Sequence, residues 1–192
     1  MIKPTLQSVV ILDACVLYPA PVRDLLLSVA HEGLFIPKWT PIIQEEWLNA
    51  LLSNRPELDR EQLQKTQSMM RNAFPEAEIM HQVEKKARLP LLPDLNDQHI
   101  FEAAVSSNAS FIVTFNLRDF PDRLVEPLNI RAIHPDSFLC KLYKESANVM
   151  YTAFKKQLER LQHPPLSDIQ LFNILTNCNL SKIVGYLSAH LS

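Results

Sequence analysis

The 192-residue sequence predicts an α/β protein with a short parallel sheet covered by helices on both faces, followed by a small all-helical C-terminal region. Two observations predict this class. Short apolar runs alternate with helical patterns as far as about residue 140, and strands separated by helices pair in parallel. Beyond that point the apolar spacing is helical throughout. We therefore predict two units, residues 1–140 and residues 141–192.

The predicted strands are runs of branched and aromatic apolar residues, each too short for a stable helix. The first contains Val9–Leu12 and ends at Asp13. Because both faces of a parallel sheet are buried, continuous apolar runs suit its strands better than alternating ones. The predicted strands are residues 8–13, 34–37, 110–115 and 129–133.

The predicted helices of the first unit carry apolar residues at spacings of three and four. Gly33 is placed to end the first helix, while Thr40 and Pro41 suit the N-cap and first position of the second. These helices are residues 22–31, 41–53, 55–74, 76–87 and 97–108, with a closing helix from residue 135. Three further helices are predicted in the second unit, at 151–162, 168–177 and 179–190, with Ser167 as an N-cap.

The composition excludes several kinds of functional site. With only two glycines, the chain lacks both the Walker phosphate loop and the GxGxxG dinucleotide turn. Three widely separated cysteines form no CxxC pair, and we expect them to be buried free thiols. The six histidines show no HxxxH spacing, which argues against a zinc site.

The charge is unevenly distributed along a chain whose net charge is −2. Residues 1–140 hold 13 basic and 18 acidic residues, whereas residues 141–192 hold 6 and 3. An acidic body with a mildly basic tail fits a protein that binds metal cations in its acidic part. No apolar run approaches the roughly 20 residues that cross a bilayer, or the roughly 7–15 of a signal-peptide core. We expect a cytoplasmic protein with no membrane partner.

Acidic residues follow the predicted strands and begin or line the predicted helices. Each has an ordinary explanation when taken alone, as a turn residue, a helix cap or a solvated side chain. Glu46 differs from Glu45 because it borders the apolar helix face of Ile43 and Trp47. The acidic places are Asp13, Glu46, the pair Asp94 and Asp97, and Asp119 beside Asn116.

Carboxylates gathered at one edge of a parallel sheet would repel each other, and no basic run is placed to pair them all. Mg²⁺ or Mn²⁺ would relieve that repulsion, because hard divalent cations take oxygen ligands. Such ions activate water in phosphodiester hydrolysis. No serine–histidine or cysteine–histidine arrangement offers another nucleophile.

Five motifs in this order and spacing resemble those of the PIN-domain nucleases. They are ILDACVLYPAPVRDLLL, KWTPIIQEEW, LPDLNDQHIFEAAV, FIVTFNLRDFP and PDSFL. The resemblance covers residues 8–140 and is greatest to the VapC class of PIN ribonuclease toxins from bacterial type II toxin–antitoxin pairs. Some of those proteins carry a helical C-terminal extension, which resembles residues 141–192.

The resemblance implies an α/β/α sandwich around a central parallel sheet. It also implies cleavage of single-stranded RNA, dependence on Mg²⁺ or Mn²⁺, a homodimer, and inhibition by a cognate antitoxin. Two other functions stay open on sequence grounds: a PIN nuclease of RNA maturation or decay, and an inactive PIN-like module that binds protein.

Position by position, the resemblance makes Asp13, Glu46 and Asp97 the first three acidic residues of the family site. Asp13 and Asp97 would hold a metal ion, with Glu46 contributing directly or through water. The fourth family position falls on Asn116, which replaces an aspartate, and Asp119 could supply the missing charge. These two residues would orient a second ion or the attacking water.

Around these ligands, Thr114 and Asp94 are expected to support the carboxylates rather than bind the substrate. RNA also requires cations beside the acidic pocket. Arg118 is the best candidate because it follows Asn116 closely in the chain, with Arg23 and Lys38 as further candidates. The remaining basic candidates are Lys85, Lys86, Arg88 and the basic tail.

Overall fold

The computed structural model describes residues 8–80, 89–162 and 164–190. Its centre is a four-stranded, all-parallel sheet in the order β2-β1-β3-β4, flanked by helices. This confirms the predicted α/β class and its parallel sheet. All four predicted strands are present, with bounds that differ from the prediction by up to two residues at either end. They are β1 (Val9–Leu12), β2 (Ile36–Lys38), β3 (Phe111–Val113) and β4 (Arg131–Ile133).

The described residues also form ten α-helices and three single turns of 3-10 helix. None of these helices has the length and apolar character needed to cross a membrane. The 3-10 turns are Leu95–Asp97, Leu117–Asp119 and Glu126–Leu128. The α-helices are α1 (Ala14–Leu17), α2 (Ala20–His31), α3 (Pro41–Asn54), α4 (Arg60–Ala73), α5 (Gln98–Ser106), α6 (Asp122–Val125), α7 (Pro135–Glu145), α8 (Ala147–Arg160), α9 (Asp168–Asn177) and α10 (Ser181–Ala189).

The residues predicted to begin or end helices are found at those positions. Thr40 Oγ1 accepts a hydrogen bond from the Ile43 backbone N–H at 3.2 Å, and Pro41 begins α3. Ser167 forms a capping box with Gln170, since each side chain accepts a hydrogen bond from the other residue's backbone N–H. Gly33, just beyond α2, has φ of +79°, a left-handed conformation that glycine adopts without steric cost.

Several elements differ from the sequence-based prediction. The helix expected over 55–74 begins only at Arg60, because the Asp59 side chain caps it by accepting from the Glu61 N–H at 3.1 Å. The short helices α1 and α6 were not predicted. The helix expected over 76–87 is absent at residues 76–80, which begin in a turn, and its remainder, 81–87, lies outside the described residues. The helix expected from residue 151 begins at Ala147.

The core is built around the sheet. Phe138 of α7 packs edge-on against Phe35 at 5.1 Å between ring centroids and lies 6.0 Å from Phe111 of β3. All three rings are almost fully buried, together with Val10, Ile11 and Leu12 of β1. Burial of each such side chain contributes about 2 kcal/mol, so α7 is held firmly on the sheet. The predicted boundary after residue 140 lies inside α7 and remains a prediction.

The C-terminal helices pack against α2 and α7. On the α2 side, Gln157 Nε2 donates to the Pro21 carbonyl at 3.0 Å, and Lys156 Nζ pairs with Glu32 at 2.7 Å. On the α7 side, the buried carboxylate of Asp136 accepts from the backbone N–H groups of Lys182 at 3.2 Å and Ile183 at 2.9 Å. Asp136 of α7 therefore provides the hydrogen-bond acceptors for two backbone N–H groups in the first turn of α10.

We expect Asp136→Ala to destabilise the protein by about 1–3 kcal/mol, because two N–H groups at the start of α10 lose their acceptor. Urea unfolding followed by circular dichroism measures this loss. Asp136→Asn, which keeps one acceptor oxygen, should lose less. Equal stability of the alanine variant and the wild type would show that this cap contributes nothing.

Candidate active site

Asp13 stands at the carboxyl end of β1 and is only 6% exposed. Its Oδ2 accepts hydrogen bonds from Thr114 Oγ1 at 2.6 Å and from Cys15 Sγ at 3.0 Å. Thr114 directly follows β3, the neighbouring strand, so the parallel pairing of β1 and β3 creates the contact. Burial raises the pKa of Asp13, while the hydrogen bonds from Thr114 and Cys15 oppose that rise.

A cavity of about 410 Å³ opens beside Asp13 at this edge of the sheet. Three predicted carboxylates and the predicted amide line it, namely Asp13, Glu46, Asp97 and Asn116. Its other lining residues include Trp47, Ala50 and Asn54 of α3, with Tyr18. The structure thus brings together four of the five residues predicted to be catalytic.

The neighbouring carboxylates change the pKa of Asp97. Its pKa is raised to about 7, first because of partial burial and then because of the nearby charges of Asp13, Asp119 and Asp94. A hydrogen bond shared with Asp119 acts in the same direction. Each of these charge effects comes from another carboxylate, so the repulsion that the sequence predicts is present in the folded protein.

The two adjacent glutamates of α3 have different surroundings. Glu45 is exposed and pairs with Arg60 at 3.7 Å, whereas Glu46 faces the cavity, as its position on the apolar helix face predicts. Glu46 Oε1 accepts from His99 Nε2 of α5 at 2.9 Å. His99 was not predicted as a site residue, and no sequence signal could reveal the contact because its partners are 53 residues apart.

Asn116 and Asp119, which sequence alone left as alternatives for one role, contact each other. Asn116 Nδ2 donates to Asp119 Oδ2, and the Asn116 backbone N–H donates to Thr114 Oγ1 at 2.9 Å. Asp94 is exposed and caps the 3-10 turn before α5 by accepting from the Asn96 N–H at 2.9 Å. Its influence on Asp97 is therefore electrostatic.

The donor set suits a hard divalent cation, since the cavity presents carboxylate and amide oxygens without a competing lysine or arginine among its lining residues. Across the described ranges, however, no three His, Cys, Asp or Glu side chains are already arranged as ligands around one point. Glu46 is engaged by His99 and Asp119 by Asn116. A third carboxylate would therefore have to move before it could contact a cation held by Asp13 and Asp97.

Two further cavity residues were not predicted. Cys15 is partly exposed rather than buried, and its Sγ accepts from the Phe115 N–H at 3.2 Å while donating to Asp13. Burial and the Asp13 charge raise the pKa of Cys15 to about 12, so the thiol stays neutral and can donate. Tyr18 accepts from Asn54 Nδ2 at 3.3 Å. The spacing of Asp13 and Cys15 could have indicated their contact.

The predicted RNA-contact residues have three different surroundings. Arg118 is exposed beside Asn116 in the turn that follows β3. Lys38 Nζ donates to the Glu76 carbonyl, which ties it to the chain beyond α4. The candidates Lys85, Lys86 and Arg88 lie outside the described residues.

Arg23 is another predicted RNA-contact residue, and its surroundings argue against the predicted contact. It is 7% exposed, donates from Nη1 to the Leu17 carbonyl at 3.0 Å, and stacks on Trp47 at 4.9 Å. These contacts stabilise the end of α1 and leave a phosphate little access.

The sequence of the chain matches those of known protein families. The sequence pattern of the PIN domain matches residues 8–118, and that of the VapC50 C-terminal domain matches residues 135–189. A curated protein of Mycobacterium tuberculosis (strain ATCC 25618 / H37Rv), named "Putative ribonuclease VapC50", is 44% identical over 57 residues, which are 28% of this chain and 34% of that protein. The chain thus spans about a third of the length of this relative.

No solved structure matches the chain. The PIN match covers more than half of the 192 residues and contains four of the five residues predicted to be catalytic, while Asp119 lies one residue beyond it. The chain therefore belongs to the PIN-domain family, and its C-terminal helices form a region of the VapC50 type.

Proposed function

We propose that the protein is a Mg²⁺- or Mn²⁺-dependent endoribonuclease that hydrolyses phosphodiester bonds of single-stranded RNA. One observation carries this proposal: Asp13, Glu46 and Asp97 line a single cavity of a PIN domain, and no lysine or arginine is among the described residues that line it. Uncompensated carboxylates at the carboxyl edge of a parallel sheet are suited to divalent-cation binding.

In this proposal Asp13 and Asp97 hold the ion, with Glu46 and Asp119 as additional ligands. The ion, when bound, supplies a water of lowered pKa and neutralises charge on the reacting phosphate. The chain positions these ligands through neutral donors. Thr114 and Cys15 fix Asp13, and His99 orients Glu46. Asn116 holds Asp119, and the exposed Arg118 beside them is available to an RNA phosphate.

The biological role that we propose is the toxin of a toxin–antitoxin pair, inhibited by a cognate antitoxin in the cytoplasm. The support is the C-terminal region of the VapC50 type and the name of the Mycobacterium tuberculosis relative. The homodimer remains a prediction from the resemblance. A PIN nuclease of RNA maturation or decay is the alternative within the same family.

Expression in a bacterial host tests the toxin role. We expect wild-type protein to arrest growth and Asp13→Asn protein to be tolerated at the same expression level, because the variant lacks a cation ligand. Mapping of new RNA 5′ ends after induction identifies the cleaved RNA. Unchanged growth with an active purified enzyme would instead favour RNA maturation or decay.

The paired glutamates of α3 provide a test of the catalytic site. We expect Asp13→Asn and Glu46→Gln to lower cleavage of single-stranded RNA by more than about 100-fold, since loss of a residue that only supports a ligand costs roughly 10–100-fold. Thr114→Val should fall within that lower range. The rates are measured with purified protein in Mg²⁺ or Mn²⁺.

Glu45→Gln is the matched control, because Glu45 belongs to the same helix and faces solvent. Its activity should equal that of the wild type. Full activity of the Asp13→Asn enzyme would contradict the proposed ribonuclease site.

The raised pKa of Asp97 predicts how the metal-free protein responds to pH. Ionisation of Asp97 is harder in the folded state, so it destabilises the fold progressively between about pH 4 and 7 and fully above that range. We expect Asp97→Asn to stabilise the protein in EDTA at pH 8 by about 1–2 kcal/mol, a value reduced for solvent screening at this partly exposed site.

The same variant separates a metalloenzyme from an inactive module. Mn²⁺ should raise the thermal midpoint of the wild type and have little effect on Asp97→Asn, because only the wild type has the full ligand set. If Mn²⁺ leaves the wild-type midpoint unchanged, the inactive PIN-like protein-binding module becomes the better interpretation.

A further inference from the structure

A second cavity lies in the C-terminal region, between α7 and α10, and is rich in positive charge. This shallow, open cavity has a volume of about 550 Å³. Lys141 and Lys144 of α7 and Lys182 of α10 contribute its charge, and no carboxylate is among its lining residues. The carboxylate of Asp136, on the same helix, is used by the backbone N–H groups of α10. We call this feature the lysine cavity.

Among the described residues, the three lysines have no carboxylate that neutralises them. None of them forms an ion pair with any carboxylate in the described part of the chain. Two other lysines of the same region behave differently, since Lys155 pairs with Asp168 at 3.0 Å and Lys156 with Glu32 at 2.7 Å. Burial and the neighbouring charge of Arg131 lower the pKa of Lys141. The lysine cavity therefore carries positive charge that an external anion would stabilise.

The aromatic ring of Tyr186 also lines the lysine cavity. Tyr186 is 38% exposed, and its ring stacks on that of Tyr143 with 5.1 Å between centroids and 24° between planes. Lys144 Nζ lies 5.8 Å from the Tyr186 ring centroid. A supported, exposed ring beside several cations is the combination by which proteins bind single-stranded nucleic acid, through base stacking and phosphate contact.

The lysine cavity begins close to the edge of the sheet that carries Asp13. Phe115, next to Thr114, packs against His134 with 5.1 Å between ring centroids. His134 is the N-cap of α7, and Ser137, one helical turn further, already lines the lysine cavity. We call the cavity lined by Asp13, Glu46 and Asp97 the acidic cavity. A single-stranded nucleic acid lying over it could therefore continue along the start of α7 toward the three lysines.

We propose that the lysine cavity binds the phosphodiester backbone of the single-stranded RNA that the acidic cavity cleaves, with Tyr186 as a stacking surface for a base. This inference rests on the proposed ribonuclease function. The combination of lysines, an exposed supported ring and a position on the helix that starts at the edge of the sheet carrying Asp13 favours RNA over an acidic peptide. The lysine cavity would hold nucleotides beyond the scissile bond and thereby add affinity that the negatively charged active site does not provide.

Binding is tested in an Asp13→Asn background with EDTA, so that no RNA is cut. The probe is a fluorescein-labelled oligouridylate, and anisotropy is measured over a series of NaCl concentrations. Replacement of all three lysines by glutamine should lower the slope of log affinity against log salt by about 2, because each single-strand phosphate contact contributes roughly 0.7. At low salt, the affinity should fall by at least about tenfold.

The matched control is Lys155→Gln with Lys156→Gln, which removes lysines already paired within the same helical region. This variant should retain the slope and affinity of the background protein. Replacement of the three cavity lysines by arginine preserves charge and should restore binding. Circular dichroism and urea unfolding establish that each variant is folded.

Two results would overturn the inference. One is an identical salt slope in the triple glutamine variant and its control. The other is binding of oligoglutamate with the same lysine dependence and equal affinity, which would make the cavity a site for acidic protein. The binding assay is independent of catalysis. Lysine-dependent binding by a wild-type protein that cuts no RNA would contradict the proposed ribonuclease activity and leave the lysine cavity as an RNA site.

Discussion

Repulsion between carboxylates held in one cavity is the constraint on which the rest of this site depends. Asp13 is buried at the end of a core strand, and helices α3 and α5 bring Glu46 and Asp97 beside it. Among the described residues that line the cavity, no lysine or arginine neutralises this charge. The protein holds the carboxylates with neutral or weakly basic donors, the hydroxyl of Thr114, the thiol of Cys15, the amide of Asn116 and the imidazole of His99. The remaining negative charge is what makes the cavity suited to a cation.

The lysine cavity is the electrostatic opposite of the acidic one. In both, side chains of like charge lie together, at a cost to folding that the packing around them has to exceed. Some charged residues elsewhere in the chain are paired with the opposite charge, such as Glu45 with Arg60 and Lys155 with Asp168. The protein thus has two clusters of like charge, one suited to a metal ion and the other to phosphates. RNA bound together with a divalent cation would supply opposite charge to both cavities.

Local signals in the sequence were sufficient for most of the fold. Thr40 and Ser167 begin their helices as predicted, because a cap depends on residues only a few positions away. The preference for Glu46 over Glu45 followed from helix periodicity alone, and the structure places only Glu46 at the cavity. Arg23 shows where such reasoning stops. It was a candidate for RNA contact on sequence grounds, but packing against Trp47 buries it.

The sequence by itself determined the α/β class, the four strands, the order of the acidic residues and the likeness to PIN nucleases. These depend on patterns within short segments, which a single chain displays directly. Only the tertiary structure decided that Thr114 holds Asp13 across 101 residues, that His99 holds Glu46, and that α10 brings Lys182 to the lysines of α7. The reason is physical. Such contacts form between residues far apart in the chain, and the packing of strands and helices, rather than any local preference, sets the distances between them.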